Sequence, residues 1–132
     1  MIGGSLDKTA KIWNLKTSKN LGTLTGHLDY VNVVNCANGY QRCYTGSSDR
    51  SIKEWDLENF KLLKTFNGAS GVNSLCLSNN DSLIYSGHSD GSIKIWSTMS
   101  NDKPENILDI HENKVISIQQ LKNDFHILTS SL

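Results

Sequence analysis

The sequence predicts an all-β chain built from about three copies of one four-stranded antiparallel unit, and three observations predict it. Trp13, Trp55 and Trp96 stand 42 and 41 residues apart. Asp7, Asp49 and Asp90 keep the same two intervals, each six residues ahead of its tryptophan. His27 and His111 are 84 residues apart, two periods, with Ala69 at the midpoint. Three features locked to one period identify an internal repeat.

Within a period the pattern is one of short strands. Val31 to Cys36 and Val72 to Ser78 are apolar or β-branched runs. They are broken at Asn38-Gly39 and Asn79-Asn80-Asp81 by residues that tolerate left-handed backbone, as does Asn123-Asp124 further on. Cys43 to Ser47 and Leu83 to His88 come next. Tight turns at Asp49-Arg50 and Asp90-Gly91 lead into Ser51 to Trp55 and Ser92 to Trp96. Leu62 to Phe66 and Asn106 to Ile110 close the units. No segment carries a sustained helical period. Four antiparallel strands in about 42 residues describe the blade of a β-propeller.

The unit also carries a polar device. A tryptophan buried between blades brings an indole N–H that needs an acceptor. Strand alternation points to Ser47 as that acceptor, passing a hydrogen bond to His27, with Asp49 taking the other imidazole nitrogen and turn amides. Trp55, Ser47, His27 and Asp49 thus form one structural relay. Asp7 and Trp13, Asp90 and Trp96, and His111 are its counterparts elsewhere. Ser, His and Asp together resemble a hydrolase triad in composition. The serine would be buried against indole, however, and no Gly-x-Ser-x-Gly elbow is present. The reading is non-catalytic, with no cofactor and no metal.

The third unit departs from its neighbours. Ala69 replaces the relay histidine, the following loop is one residue shorter, and His88 stands where Ser47 does. His88 is expected to meet Trp96 and Asp90 directly; a lone histidine without ligand-spaced partners is a poor metal site. Glu54 occupies the place of Ile12 and Ile95, so it needs a basic partner between blades or must reach the rim.

Gly26-His27, Ser47, Asp49 and Trp55-Asp56, with their repetitions, resemble the WD (WD40) repeat family over essentially the whole chain. A narrower likeness lies in KTFNGASGVNSLCLSNNDSLIYSGHSDGSIKIW, LTGH and DRSIKEWDL, which are similar to the autophagy-related protein sixteen propeller. Members of that family join a propeller to an N-terminal coiled coil and scaffold the attachment of a ubiquitin-like protein to lipid. The coiled coil is not in these residues, so the resemblance implies propeller-mediated recruitment only.

By this reading residues 3–25 are a blade lacking its first strand, 26–67 and 68–110 are full blades, and 111–132 are the first half of another. Propellers close with four to eight blades, so this chain alone should leave the ring open. A piece of a longer protein, or assembly of several copies, would cover the exposed end faces.

Thirteen basic residues balance thirteen acidic ones, which gives no field to attract nucleic acid. Lys8, Lys11, Lys16 and Lys19 scatter over strand and turn as a solvated edge rather than a phosphate track. Cys36, Cys43 and Cys76 make an odd set without a Cys-x-x-Cys pair and read as reduced core residues, ahead of disulfide or metal roles. No apolar run spans a membrane and no secretory signal opens the chain, which reads as cytoplasmic, with a nuclear location open. The expected partners are other proteins, met on the face built by the loops leading into each blade and the tight turns. Tyr30, Ser48, Arg50, Ser70, Ser89 and Lys114 lie there. The alternative is a phosphoinositide- or membrane-associated propeller, although the Phe-Arg-Arg-Gly motif of lipid-binding propellers is absent.

Overall fold

A computed structural model describes residues 1–100, 103–121 and 126–132. The expected turn at Asn123-Asp124 lies outside the described residues. The strands are β1 (Ile2–Gly4), β2 (Thr9–Asn14), β3 (Lys19–Thr25), β4 (Val31–Cys36), β5 (Arg42–Ser47), β6 (Ser51–Asp56) and β7 (Lys61–Asn67). They continue as β8 (Val72–Leu77), β9 (Leu83–His88), β10 (Ser92–Ser97), β11 (Asn106–Asp109), β12 (Val115–Gln120) and β13 (Ile127–Ser131). No helix occurs among the described residues. Four antiparallel sheets result, ordered β1-β2-β3, β4-β5-β6-β7, β8-β9-β10-β11 and β12-β13.

The repeated aspartates explain the tight turns. Asp7, Asp49 and Asp90 each accept the backbone N–H two residues on, from Thr9 at 3.1 Å, Ser51 at 2.9 Å and Ser92 at 3.1 Å. An Asx turn of this kind supplies a bond the backbone would otherwise lack. The next residue takes left-handed backbone each time: Lys8 at φ 69°, Arg50 at 72° and Gly91 at 84°. Inner strands open with a bulge at the same place, between Val31 and Val33, Val72 and Ser74, and Val115 and Ser117. Each bulge leaves one residue, Asn32, Asn73 or Ile116, out of the ladder. In the second sheet it is Asn32, whose amide donates to the Val72 carbonyl of the third sheet at 2.9 Å.

Each interior lies between sheets. Trp55, Val31 and Cys43 pack with Ala10, Ile12 and Leu24 across the first interface. Trp96, Val72 and Leu75 pack with Tyr44, Ile52 and Phe66 across the second, where Phe66 and Trp96 meet edge to face at 5.9 Å. Tyr85, Ile93, Val115 and Ile118 fill the third. Spacing is set by a notch: a Cβ on Gly46 would stand 2.5 Å from Val72 Cγ1, and one on Gly87 would stand 2.6 Å from Val115 Cγ1. Gly4 faces Val31 in the same way. The inner strands run in sequence, with β4 against β8 and β8 against β12, and β1, the second strand of its blade, lies against β4. No comparable packing among the described residues returns from β12 and β13 to β1, so the sheets form an open arc.

Candidate protein-interaction face

The polar device of the second sheet is built around Thr45, not Ser47. The Trp55 indole N–H donates to Thr45 Oγ1 at 2.8 Å, and Thr45 Oγ1 lies 2.7 Å from His27 Nε2. His27 Nδ1 lies 2.8 Å from Asp49 Oδ2. One assignment satisfies every group: indole donates to hydroxyl, hydroxyl to Nε2, and Nδ1–H to carboxylate, with His27 neutral. Ser47 has another task, donating to the Asp29 carbonyl at 3.1 Å and accepting the Asp49 N–H at 3.0 Å. Register explains the two-residue displacement. Trp55 pairs with Cys43, so the same-face diagonal neighbour is Thr45, while Ser47 lies one step too far.

Electrostatics agree with a neutral imidazole. Burial lowers the His27 pKa, and Asp49 only partly opposes it. Burial pushes Asp49 up, but the Ser51 hydroxyl, the Leu28 N–H and His27 outweigh it and hold the carboxyl at about 2. The hydroxyls that touch His27, on Thr45 and Ser51, are buried at 0% and 6% exposed, and both are spent on the relay.

The third sheet solves the same problem differently. The Trp96 indole donates to Ser86 Oγ at 2.7 Å, and Ser86 Oγ lies 2.8 Å from His88 Nε2. His88 therefore reaches Trp96 only through Ser86, and its Nδ1 donates to the Ser70 carbonyl at 3.0 Å rather than to Asp90. Burial lowers the His88 pKa to about 4. In the last sheet His111 Nε2 lies 2.9 Å from Thr129 Oγ1. In the first, Asp7 accepts from Thr9 and Lys11, and Trp13 is half-buried. Thr45, Ser86 and Thr129 were legible in principle, because every one of them is a hydroxyl residue at the repeat interval.

The WD domain, G-beta repeat family model matches residues 18–56 and 60–97. The chain belongs to the WD40 repeat family. Protein tipD of Dictyostelium discoideum is 34% identical over 99% of this chain and 22% of its own length. Autophagy-related protein 16 of Arabidopsis thaliana is 31% identical over 98% of the chain and 26% of its own. Small ribosomal subunit protein RACK1y of Oryza sativa subsp. japonica is 34% identical over 80% and 32%. This WD40 chain thus spans between about a fifth and a third of the length of those relatives. WD40 repeats generally act as protein-interaction scaffolds rather than as catalysts.

On the face beside the relay, the six sequence-predicted contact residues divide by their bonding. Ser48 accepts from the Asn32 amide at 2.9 Å, and Ser89 accepts from Asn73 at 3.0 Å, so both hydroxyls serve the scaffold. Ser70 gives its carbonyl to His88. Tyr30, Arg50 and Lys114 are exposed. The Ser48 N–H donates to the Tyr30 carbonyl at 3.0 Å, which ties Tyr30 to the turn carrying Arg50. On the opposite side Glu54 does find its base, but within its own sheet: Arg42 Nη1 lies 2.9 Å from Glu54 Oε1.

Proposed function

We propose that this chain presents a protein-docking surface on the relay face of its second WD40 blade, with Tyr30 and Arg50 as its contacts. The observation that carries the reading is Arg50 itself. Left-handed backbone at a residue other than glycine costs about 1 kcal/mol, yet the turn holds an exposed guanidinium there. The equivalent Gly91 leaves no room for a side chain, since a Cβ would meet the His111 carbonyl. Arg50 therefore projects where the next blade is bare, beside an exposed tyrosine, and Tyr and Arg are common anchors of protein interfaces. Arg50→Gly separates binding from folding: it relieves the backbone and removes the contact. In affinity capture followed by quantitative mass spectrometry, R50G and Tyr30→Ala should each reduce partner recovery about tenfold, a loss of about 1.4 kcal/mol. Unchanged recovery with both variants would sink the assignment.

We infer further that the partners belong to an autophagy scaffold that serves lipid conjugation in the cytoplasm. The similarity to autophagy-related protein 16 along 98% of the chain supports this. The test is a chimera in which this chain replaces the matching segment of the Arabidopsis protein. Retained conjugation of the ubiquitin-like protein to lipid supports the reading. Loss of conjugation by a folded chimera overturns it.

A further inference from the structure

Cys36 closes the strand β4 and Cys43 lies near the start of β5, and the two are direct cross-strand partners. The ladder fixes which kind of pair they make. The Ala37 N–H donates to the Arg42 carbonyl at 3.0 Å, so 37 and 42 are the hydrogen-bonded pair and 36 and 43 the adjacent non-hydrogen-bonded one. Such pairs bring Cα atoms to about 4.5 Å with side chains on one face. That spacing falls inside the range a disulfide spans, about 4.4–6.8 Å. The corresponding pairs in the next sheets are Leu77 with Ile84 and Gln120 with Ile127, so the thiol pair is particular to the second sheet. Cys36 also lines an open groove of about 480 Å³ with Met1, Trp13, Leu21, Tyr40 and Leu57, whereas Cys43 is fully buried. All three cysteines are free thiols in this structure.

We propose that Cys36 and Cys43 are a redox modification site that closes into a cross-strand disulfide by exchange with a small-molecule disulfide such as oxidised glutathione. Cys36, reached from the groove, attacks one glutathione sulfur as the thiolate and expels the other glutathione. Cys43 then attacks the Cys36 sulfur and expels the second. One protein disulfide forms, one external disulfide is reduced, and the two cysteine protons end on the two released thiols. Cys76 takes no part. Its sulfur accepts the Gln120 N–H at 3.2 Å and its cross-strand neighbour is Tyr85. Burial raises both reacting thiols, Cys43 to about 12. Closure should therefore quicken by nearly tenfold per pH unit around neutrality, following the thiolate fraction.

The test is peptide mapping of the folded full chain after oxidised glutathione, acid quench and blocking of remaining thiols. Trypsin cuts after Arg42, which puts Cys36 on 20–42 and Cys43 on 43–50. The expected result is those two peptides joined with loss of two hydrogens, Cys76 blocked as a free thiol, and the same link in Cys76→Ser. Cys43→Ala should instead accumulate glutathione on Cys36; should that variant fail to fold, the parent map decides alone. A link through Cys76, or all three cysteines blocked with no link, would overturn the proposal.

Discussion

The second and third blades hold the same buried tryptophan by different means. In the second, a loop histidine reaches down to the sheet: His27 lies between Thr45 and the turn carboxylate of Asp49. In the third, a strand histidine reaches up to the loop: His88 lies between Ser86 and the Ser70 carbonyl. Both arrangements tie the leading loop to the second strand. The part common to both is the hydroxyl under the indole, and the histidine can belong to either element. The carboxylate engages an imidazole only where the loop supplies it. In the third blade Asp90 keeps its turn role, accepting from Ser92, and leaves His88 to the backbone.

That contrast can be broken by mutation. His88→Ala should cost most, about 4 kcal/mol in urea unfolding, because it opens a buried cavity and strips a partner from both Ser86 and the Ser70 carbonyl. His27→Ala should cost about half as much, since Asp49 keeps its bonds to Ser51 and Leu28. The reverse order would mean that the loop histidine, not the strand histidine, dominates.

Acid gives the next effect. The folded pKa of His88, about 4, lies below the unfolded value of 6.5, so its contribution is complete above 6.5 and is lost as pH falls toward 4. The shift corresponds to roughly 3 kcal/mol across that window. Urea midpoints measured at intervals from pH 7 to 4 should fall accordingly, and His88→Gln should flatten the slope. An equal slope in both proteins would assign the titration elsewhere.

Thr45→Val keeps shape while removing the acceptor of the Trp55 N–H and a partner of His27, for about 2 kcal/mol. Ser47→Ala should cost about 1 kcal/mol, through the loop contact with Asp29. A larger penalty at Ser47 would restore the arrangement expected from alternation alone.

Much of the architecture was legible because it rests on spacing. Turn aspartates, tryptophans and strand runs repeat with the period, and the blade pattern follows. Thr45 escaped because 45 and 47 share a face, and alternation cannot choose between two hydroxyls on it. Comparing the units would have chosen, since position 47 becomes His88 in the next blade while position 45 stays a hydroxyl. The Ser70 carbonyl as the partner of His88 had no signal, because backbone acceptors leave no mark in a sequence. Glu54 announced its need for a base, but only side-chain placement showed that Arg42 of the same sheet supplies it.

The glycine notches at Gly4, Gly46 and Gly87 have a consequence beyond packing. Each admits a valine from the neighbouring inner strand, so the same contact sets every angular step between blades. In such an arc a misfit is not confined to its interface: a methyl group added at Gly46 tilts everything beyond it, as one miscut voussoir shifts the stones that follow. Local sterics in this chain thereby act as a protractor, and the accuracy with which distant blades can meet depends on the absence of a single carbon atom at each step.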